Sequence, residues 1–342
     1  MEHYFGNADI AATLEDAIRR ERIPQTLLFS GPEGVGKATL ARRFAAALLR
    51  HGADKIEKDD LSLDANATLI TDREKWPSEK RNEDPLVFST HPDFLTFAPD
   101  GPLRQISISQ TRLLKERAQF LPHHGNQRVF LIDGVDRAND QAANSLLKTL
   151  EEPPDHLVVI MTAANAYDLL PTIRSRSVPF QLAPLGAEEM KEFVRARNLD
   201  RPERRIALAG GSPGAAISMD IDAHDKRRTA MLALLRVAAG AAPFAAWAPV
   251  AEVIGRTKSE KLEHQLKALY ELLRDLLVLQ QGLSDIRNAD IRGELEALAR
   301  KVEFQWIRKA VAKVDEIAGL AGRNIQKSIA LDALIVELRT AR

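Results

Sequence analysis

Nine residues near the N-terminus carry the groups that phosphate chemistry requires. Gly31-Pro-Glu-Gly-Val-Gly36-Lys37-Ala38 follows the pattern G-x-x-x-x-G-K-[ST] through its lysine. Backbone N–H groups of such a turn cradle phosphate oxygens, Gly34 and Gly36 allow the close approach, and Lys37 reaches for the terminal phosphates. The last letter of the pattern is a hydroxyl that ligates Mg²⁺. Ala38 stands there, and Thr39 beside it is the one substitute hydroxyl. Further on, Val129-Phe-Leu-Ile-Asp133 is an apolar run ending in an acid, the form of the metal-side strand in a phosphate-loop NTPase. The next residue, Gly134, has no carboxylate to activate water. Asp136 follows in a turn, where its side chain need not face the phosphates. The residues therefore predict a loop that can hold ATP or ADP through Gly31, Gly34, Gly36, Lys37, Ala38, Thr39 and Asp133, with weak or absent hydrolysis by the chain itself.

These residues need particular elements to position them. Thr26-Leu-Leu-Phe-Ser30 is a short β-prone run before the loop, and Lys37 to Leu49 is rich in Ala, Leu and Arg without Gly or Pro. Strand, glycine turn and helix in that order place the loop at a helix N-terminus, where unpaired donors and the helix dipole favour an anion. Further β-prone runs at Phe94–Phe97, Arg128–Asp133, Leu157–Thr162 and Val178–Leu182 alternate with helical stretches. That alternation predicts an α/β domain over residues 1–185, a mostly parallel sheet with helices on both faces. Residues 51–88 are charged and poorly periodic, and a surface insertion is expected there. After Pro184 the β-prone runs stop. A small helical unit is expected over 186–221, closed by Gly210-Gly-Ser-Pro-Gly214, and an all-helical region over 222–342. Leu266, Leu269, Tyr270, Leu273, Leu276 and Leu277 recur at helical spacing, most simply as a bundle core and otherwise as a partner-binding face.

Composition narrows the classes. A length of 342 residues suits two or three domains, and 45% hydrophobic residues supply ordinary cores. Forty-eight basic and forty-eight acidic side chains cancel, so no global field draws the chain to nucleic acid or to a membrane. The absence of cysteine excludes disulfides, thiolate zinc sites and a cysteine nucleophile. His51 and His91 flank the insertion without clustered further ligands, and no zinc is expected. Arg112, Lys115 and Arg117 form a modest basic cluster that reads as a solvated helix face, with DNA contact left open. The first residues lack the pattern of a signal peptide, and the longest uncharged stretch, Val237 to Ala251, is too short to span a bilayer. A cytoplasmic protein is expected. No two-metal carboxylate cluster supports polymerase or exonuclease chemistry in this chain.

Four segments occur in order: Ile23-Pro-Gln-Thr-Leu-Leu-Phe-Ser-Gly-Pro-Glu-Gly-Val-Gly-Lys-Ala-Thr39, His91-Pro-Asp-Phe94, Asn144-Ser-Leu-Leu-Lys-Thr-Leu-Glu-Glu-Pro-Pro154 and Ile173-Arg-Ser-Arg-Ser177. Together they resemble the delta-prime family of bacterial DNA polymerase III clamp-loader subunits, over essentially the whole chain. The resemblance implies an AAA+ module, a helical lid over 186–221 and a C-terminal collar over 222–342. It further implies a hetero-oligomeric ring with tau/gamma motor subunits and a delta subunit, which places a sliding clamp on primer-template DNA using ATP held at subunit interfaces. Gly134 stands where motor subunits carry the water-activating Glu, and Gly214 where their lid carries a phosphate-sensing Arg. Arg176, in Ser175-Arg176-Ser177, matches the arginine of the Ser-Arg-Cys motif, which in the family reaches into a neighbour's ATP site; Arg174 is the adjacent candidate. A surface salt bridge is the plainer account of Arg176. The four cysteines of the zinc module found in many members are missing. The implied function is a stationary clamp-loader subunit whose own ATP site is degenerate, with DNA polymerase activity belonging to the holoenzyme. A motor subunit of the same ring is the alternative, disfavoured at Ala38, Gly134 and Gly214. A nucleotide kinase would share the loop but need neither the leucine-striped helices nor the Ser-Arg-Ser element.

Overall fold

Five runs of β-branched, leucine and aromatic residues form the parallel part of a six-stranded sheet in the computed structural model, which describes residues 4–257, 260–320 and 326–340. In chain order the strands are β1 (Thr26–Ser30), β2 (Phe88–His91), β3 (Phe94–Phe97), β4 (Arg128–Ile132), β5 (Leu157–Ala163) and β6 (Val178–Gln181). They lie in the order β2-β3-β4-β5-β1-β6, and every pairing is parallel except β2 with β3. The short antiparallel β2, which the periodicity does not reveal, ends the sheet as a hairpin.

The helices of this part are α1 (Ala8–Arg19), α2 (Lys37–Leu49), α3 (Asp64–Arg73), α4 (Ser78–Glu83), α5 (Ile108–Ala118), α6 (Asp140–Glu151), α7 (Pro171–Arg174) and α8 (Ala187–Ala196). The two-residue period of the strands sorts them onto two faces. Phe29, Val129, Leu131, Val158 and Ile160 pack with Leu14 of α1 and with Leu40 and Phe44 of α2. Phe130, Ile132, Val159 and Met161 pack with Leu114 of α5 and with Leu146 and Leu150 of α6. Neighbouring residues of one strand thus feed opposite cores, as expected for a sheet covered on both sides.

The charged segment after α2 is folded. A 3₁₀ turn at Ala53–Asp59 is followed by α3 and α4, with a small cluster of Ile70, Leu86, Phe88 and Ala98 beneath them. Arg73 and Asp100, both buried, form a forked pair with Nε–Oδ1 at 3.1 Å and Nη2–Oδ2 at 2.8 Å.

The remaining helices are α9 (Pro202–Ala209), α10 (Pro213–Ser218), α11 (Ile221–Ala238), α12 (Ala248–Arg256), α13 (Leu262–Gln280), α14 (Arg292–Ala299), α15 (Phe304–Leu320) and α16 (Lys327–Arg339). The chain divides into two compact units: residues 1–200 with 210–217, and residues 201–209 with 218–342. Residues 186–221, expected as one helical unit, are instead shared, α8 and most of α10 belonging to the first unit and α9 to the second. The second unit is a bundle around α13, whose Leu266, Leu269, Leu273 and Leu276 are buried core, while Tyr270 and Leu277 pack at its margin. Buried Trp247 donates its Nε1–H to Asp332, and Trp306 donates to the Leu338 carbonyl at 3.1 Å, so neither indole N–H is unpaired. Arg204 of α9 reaches Asp225 at 2.8 Å and Asp290 at 2.9 Å, which ties that helix into the bundle.

Candidate functional site

Because β1, β4 and β5 run parallel, the segments that leave them emerge at one edge of the sheet, the usual place for a ligand site in an open α/β sheet. The loop Gly31–Gly36 leaves β1 there and enters α2, whose N-cap is Gly36. Asp133 and Gly134 leave β4 at the same edge, beside Thr162 near the end of β5.

Lys37 folds back over the loop. Its Nζ donates to the carbonyl of Gly31 at 2.6 Å and of Pro32 at 2.8 Å. Burial lowers its pKa, opposed by the negative charges of Asp133, Asp136 and Glu33. Asp133 is half-buried, and desolvation raises its pKa against the lowering effect of a 2.5 Å hydrogen bond from the Thr162 hydroxyl and of the Arg42 and Lys37 charges. The same Thr162 oxygen accepts the Gly134 N–H at 2.8 Å, so one hydroxyl fixes the whole turn after β4. Asp136 accepts the Ala164 N–H at 3.0 Å, a bond between loops that gives this carboxylate a structural use.

The start of α10 closes on the loop at backbone distance. The Gly214 N–H donates to the Gly34 carbonyl at 2.9 Å, and the Ser212 hydroxyl donates to the Glu33 carbonyl at 3.2 Å. A Cβ on Gly214 would lie 2.9 Å from the Gly34 Cα, and one on Gly34 would lie 2.3 Å from the Ser212 oxygen. Gly34 also has φ of 74°, a conformation that side chains disfavour. Glycine at both positions is therefore a packing requirement. Position 214 has no room for a long side chain unless α10 moves away from the loop.

The fold thus brings together Gly31, Gly34, Gly36, Lys37, Ala38, Thr39 and Asp133, with Ala38 and Thr39 half-buried in the first turn of α2. Arg176 is elsewhere. It precedes β6, which runs parallel to β1, so it lies at the opposite edge of the sheet from the loop. The five residues of β1 separate the two edges by about 16 Å at 3.3 Å per residue. Arg174 holds its guanidinium 5.1 Å from the ring centroid of Tyr167. Sequence reading missed Thr162 and Ser212. The hydroxyl of Thr162 in an otherwise apolar strand was a usable signal; nothing local marks Ser212 as a partner of residue 33.

Two family models match the chain: one described as DNA polymerase III, delta subunit, over residues 6–186, and one as DNA polymerase III, delta subunit, C terminal, over residues 224–339. The chain is 30% identical to DNA polymerase III subunit delta′ of Pseudomonas aeruginosa, over 91% of this chain and 90% of that one. It belongs to the DNA polymerase III delta-prime family. The corresponding Escherichia coli subunit is 29% identical over 67% of each chain. Subunit tau of E. coli is 27% identical over 54% of this chain and 26% of its own length. Among the described residues of this delta-prime family member, no helix is long and apolar enough to cross a membrane.

Proposed function

We propose that the chain is the stationary member of a clamp-loading ring, supplying Arg176 to an ATP site on a neighbouring subunit while its own loop turns over little or no ATP. The observation that carries this reading is the position of Arg176 at the sheet edge opposite its own loop, about 16 Å away, beyond the reach of an arginine side chain. An arginine so placed can act on a phosphate only across a subunit boundary. Guanidinium suits that task because it keeps its charge and forks onto phosphate oxygens.

The chain's own site fits a phosphate better than it fits catalysis. The glycine turn at the α2 N-terminus and Lys37 are the groups that hold ATP or ADP. Ala38 has no hydroxyl for Mg²⁺, Gly134 has no carboxylate for water, and Gly214 abuts Gly34 where a phosphate-sensing cation would be needed. When bound, ATP supplies the phosphoryl group; these three positions are the ones that would have to orient and neutralise it. The partners that this reading implies are tau/gamma motor subunits and a delta subunit, with the clamp and primed DNA engaged through the complex.

Reconstitution with sister subunits and clamp tests the reading. An arginine supplied in trans contributes about 10³-fold or more to phosphoryl transfer. Arg176→Ala should abolish the share of DNA- and clamp-stimulated ATP turnover carried by the site it serves, with assembly intact by gel filtration. Unchanged turnover and clamp loading by a fully assembled ring would reduce Arg176 to a surface ion pair.

A further inference from the structure

Arg176 is already engaged by an anion of its own chain. Its Nη2 lies 2.7 Å from Oε1 of Glu151, while its Nη1 donates to the Thr172 carbonyl at 2.9 Å and to the Ser175 hydroxyl at 3.3 Å. Neutral acceptors thus hold one terminal nitrogen and a carboxylate holds the other. The two charged side chains are 32% and 47% exposed, so the pair faces solvent. Glu151 is the last residue of α6, and Pro153-Pro154 follow, so the helix cannot continue. A negative side chain in a last turn is disfavoured by the helix dipole. Its ionic partner is Arg176, 25 residues away in sequence.

We propose that Glu151 is a placeholder for the neighbouring subunit's phosphate: it occupies and orients Arg176 until assembly presents a stronger anion, which then displaces the carboxylate. This rests on the reading that Arg176 serves a neighbouring ATP site. A carboxylate and a terminal phosphate oxygen accept the same N–H donors in the same geometry, so one can take the other's place on the guanidinium. The exchange is easy in one direction. The pair is solvent-exposed, its worth limited to about a fivefold bias, whereas a nucleotide's terminal phosphate carries more charge and meets the arginine in a site closed off by two subunits. The freed carboxylate swings into water. Thr172 and Ser175 stay in place throughout, so the guanidinium keeps its aim while its charged partner changes. The bias lowers the affinity of the composite site for nucleotide, and Arg176 offers its full charge only when a phosphate is there to receive it.

The test compares rings reconstituted with the unsubstituted chain, Glu151→Gln, Arg176→Ala and the double variant, reading the ATP dependence of clamp-stimulated turnover. Subtracting the Arg176→Ala rate isolates the Arg176-dependent part. In Glu151→Gln rings, the ATP concentration giving half of that part should fall by up to about fivefold. The double variant should match Arg176→Ala alone, because Glu151 acts only through the arginine. A loss of turnover in Glu151→Gln approaching that of Arg176→Ala would make the carboxylate a required support and overturn the placeholder, as would an unmoved half-saturation. Should Arg176→Ala itself leave turnover unchanged, the reading in trans fails first and this one with it.

Discussion

At the scale of single residues, the loop edge of the sheet holds a carboxyl partly withdrawn from water. Asp133 is half-buried, and its loss of solvent raises its pKa despite the bond from Thr162 and the nearby positive charges of Arg42 and Lys37. A carboxyl whose folded-state pKa is raised binds its proton more tightly in the folded chain than in the unfolded one. Its contribution is therefore fully present below the ordinary carboxylate range near 4 and is lost as pH rises through the folded value. Above that value the ionised group burdens the fold. Asp133→Asn, which keeps an acceptor for Thr162, should raise Tm at pH 8, and the gain should shrink towards zero as the pH is lowered to about 4. Calorimetric melts across that range check this. A variant less stable than the parent at pH 8 would show that the Lys37 and Arg42 charges outweigh the desolvation. The acid at position 133 was legible in the sequence; its partial burial and its hydrogen bond from a neighbouring strand were not, because they depend on β4 and β5 lying side by side.

Among the elements, the segment between α2 and β2 shows how a charged, weakly periodic stretch acquires structure. It has few apolar residues, and its cluster of Ile70, Leu86, Phe88 and Ala98 is small. The forked pair of Arg73 and Asp100 joins α3 to the turn after β3, and Asp84 adds a second carboxylate at 3.3 Å from Nη1. Removing Asp100 leaves the buried guanidinium with only the exposed Asp84 as a charged partner, whereas replacing both members of the buried pair with apolar groups is far less costly. Asp100→Ala should destabilise the chain by about 3 kcal/mol in urea unfolding, and Arg73→Leu with Asp100→Leu should recover most of that loss. Equal destabilisation by the single and double variants would mean that packing, not charge, is what the pair supplies. Local propensity gives no hint of this pairing, since its two members stand 27 residues apart.

For the whole molecule, the division into two units runs through the lid segment. Arg204 of α9 is held by Asp225 and Asp290, and Arg205 donates to the Met219 carbonyl at 2.9 Å, so the helix takes its anchors from the C-terminal unit. Residues 210–217 instead close on the phosphate loop through Gly214 and Ser212. A chain ending at Asp220 keeps the sheet and the Gly34–Gly214 contact but deprives α9 of its acidic partners. Hydrogen exchange should show protection retained in β1, β4 and β5 and lost across residues 201–209, and the truncated chain should no longer co-purify with sister subunits. Full protection of α9, or undiminished co-purification, would contradict the anchoring or the assembly role of the helical region.

The sequence by itself determined the order of elements, the glycine loop between strand and helix, and the two textures of chain, because these follow from local pattern: period two in the strands, helical spacing in α13, glycines where the backbone must turn. It also held enough family-specific segments to place the chain. Which groups meet was decided only by the tertiary structure. Strand order puts Asp133 and Thr162 beside the loop and Arg176 at the far edge, α10 brings Gly214 onto Gly34, and the packing of α6 with α7 gives Arg176 a carboxylate from its own chain. The physical reason is common to all three: hydrogen bonds and ion pairs act over a few ångströms in space, and no spacing along the chain encodes that proximity until the sheet and its helices have assembled.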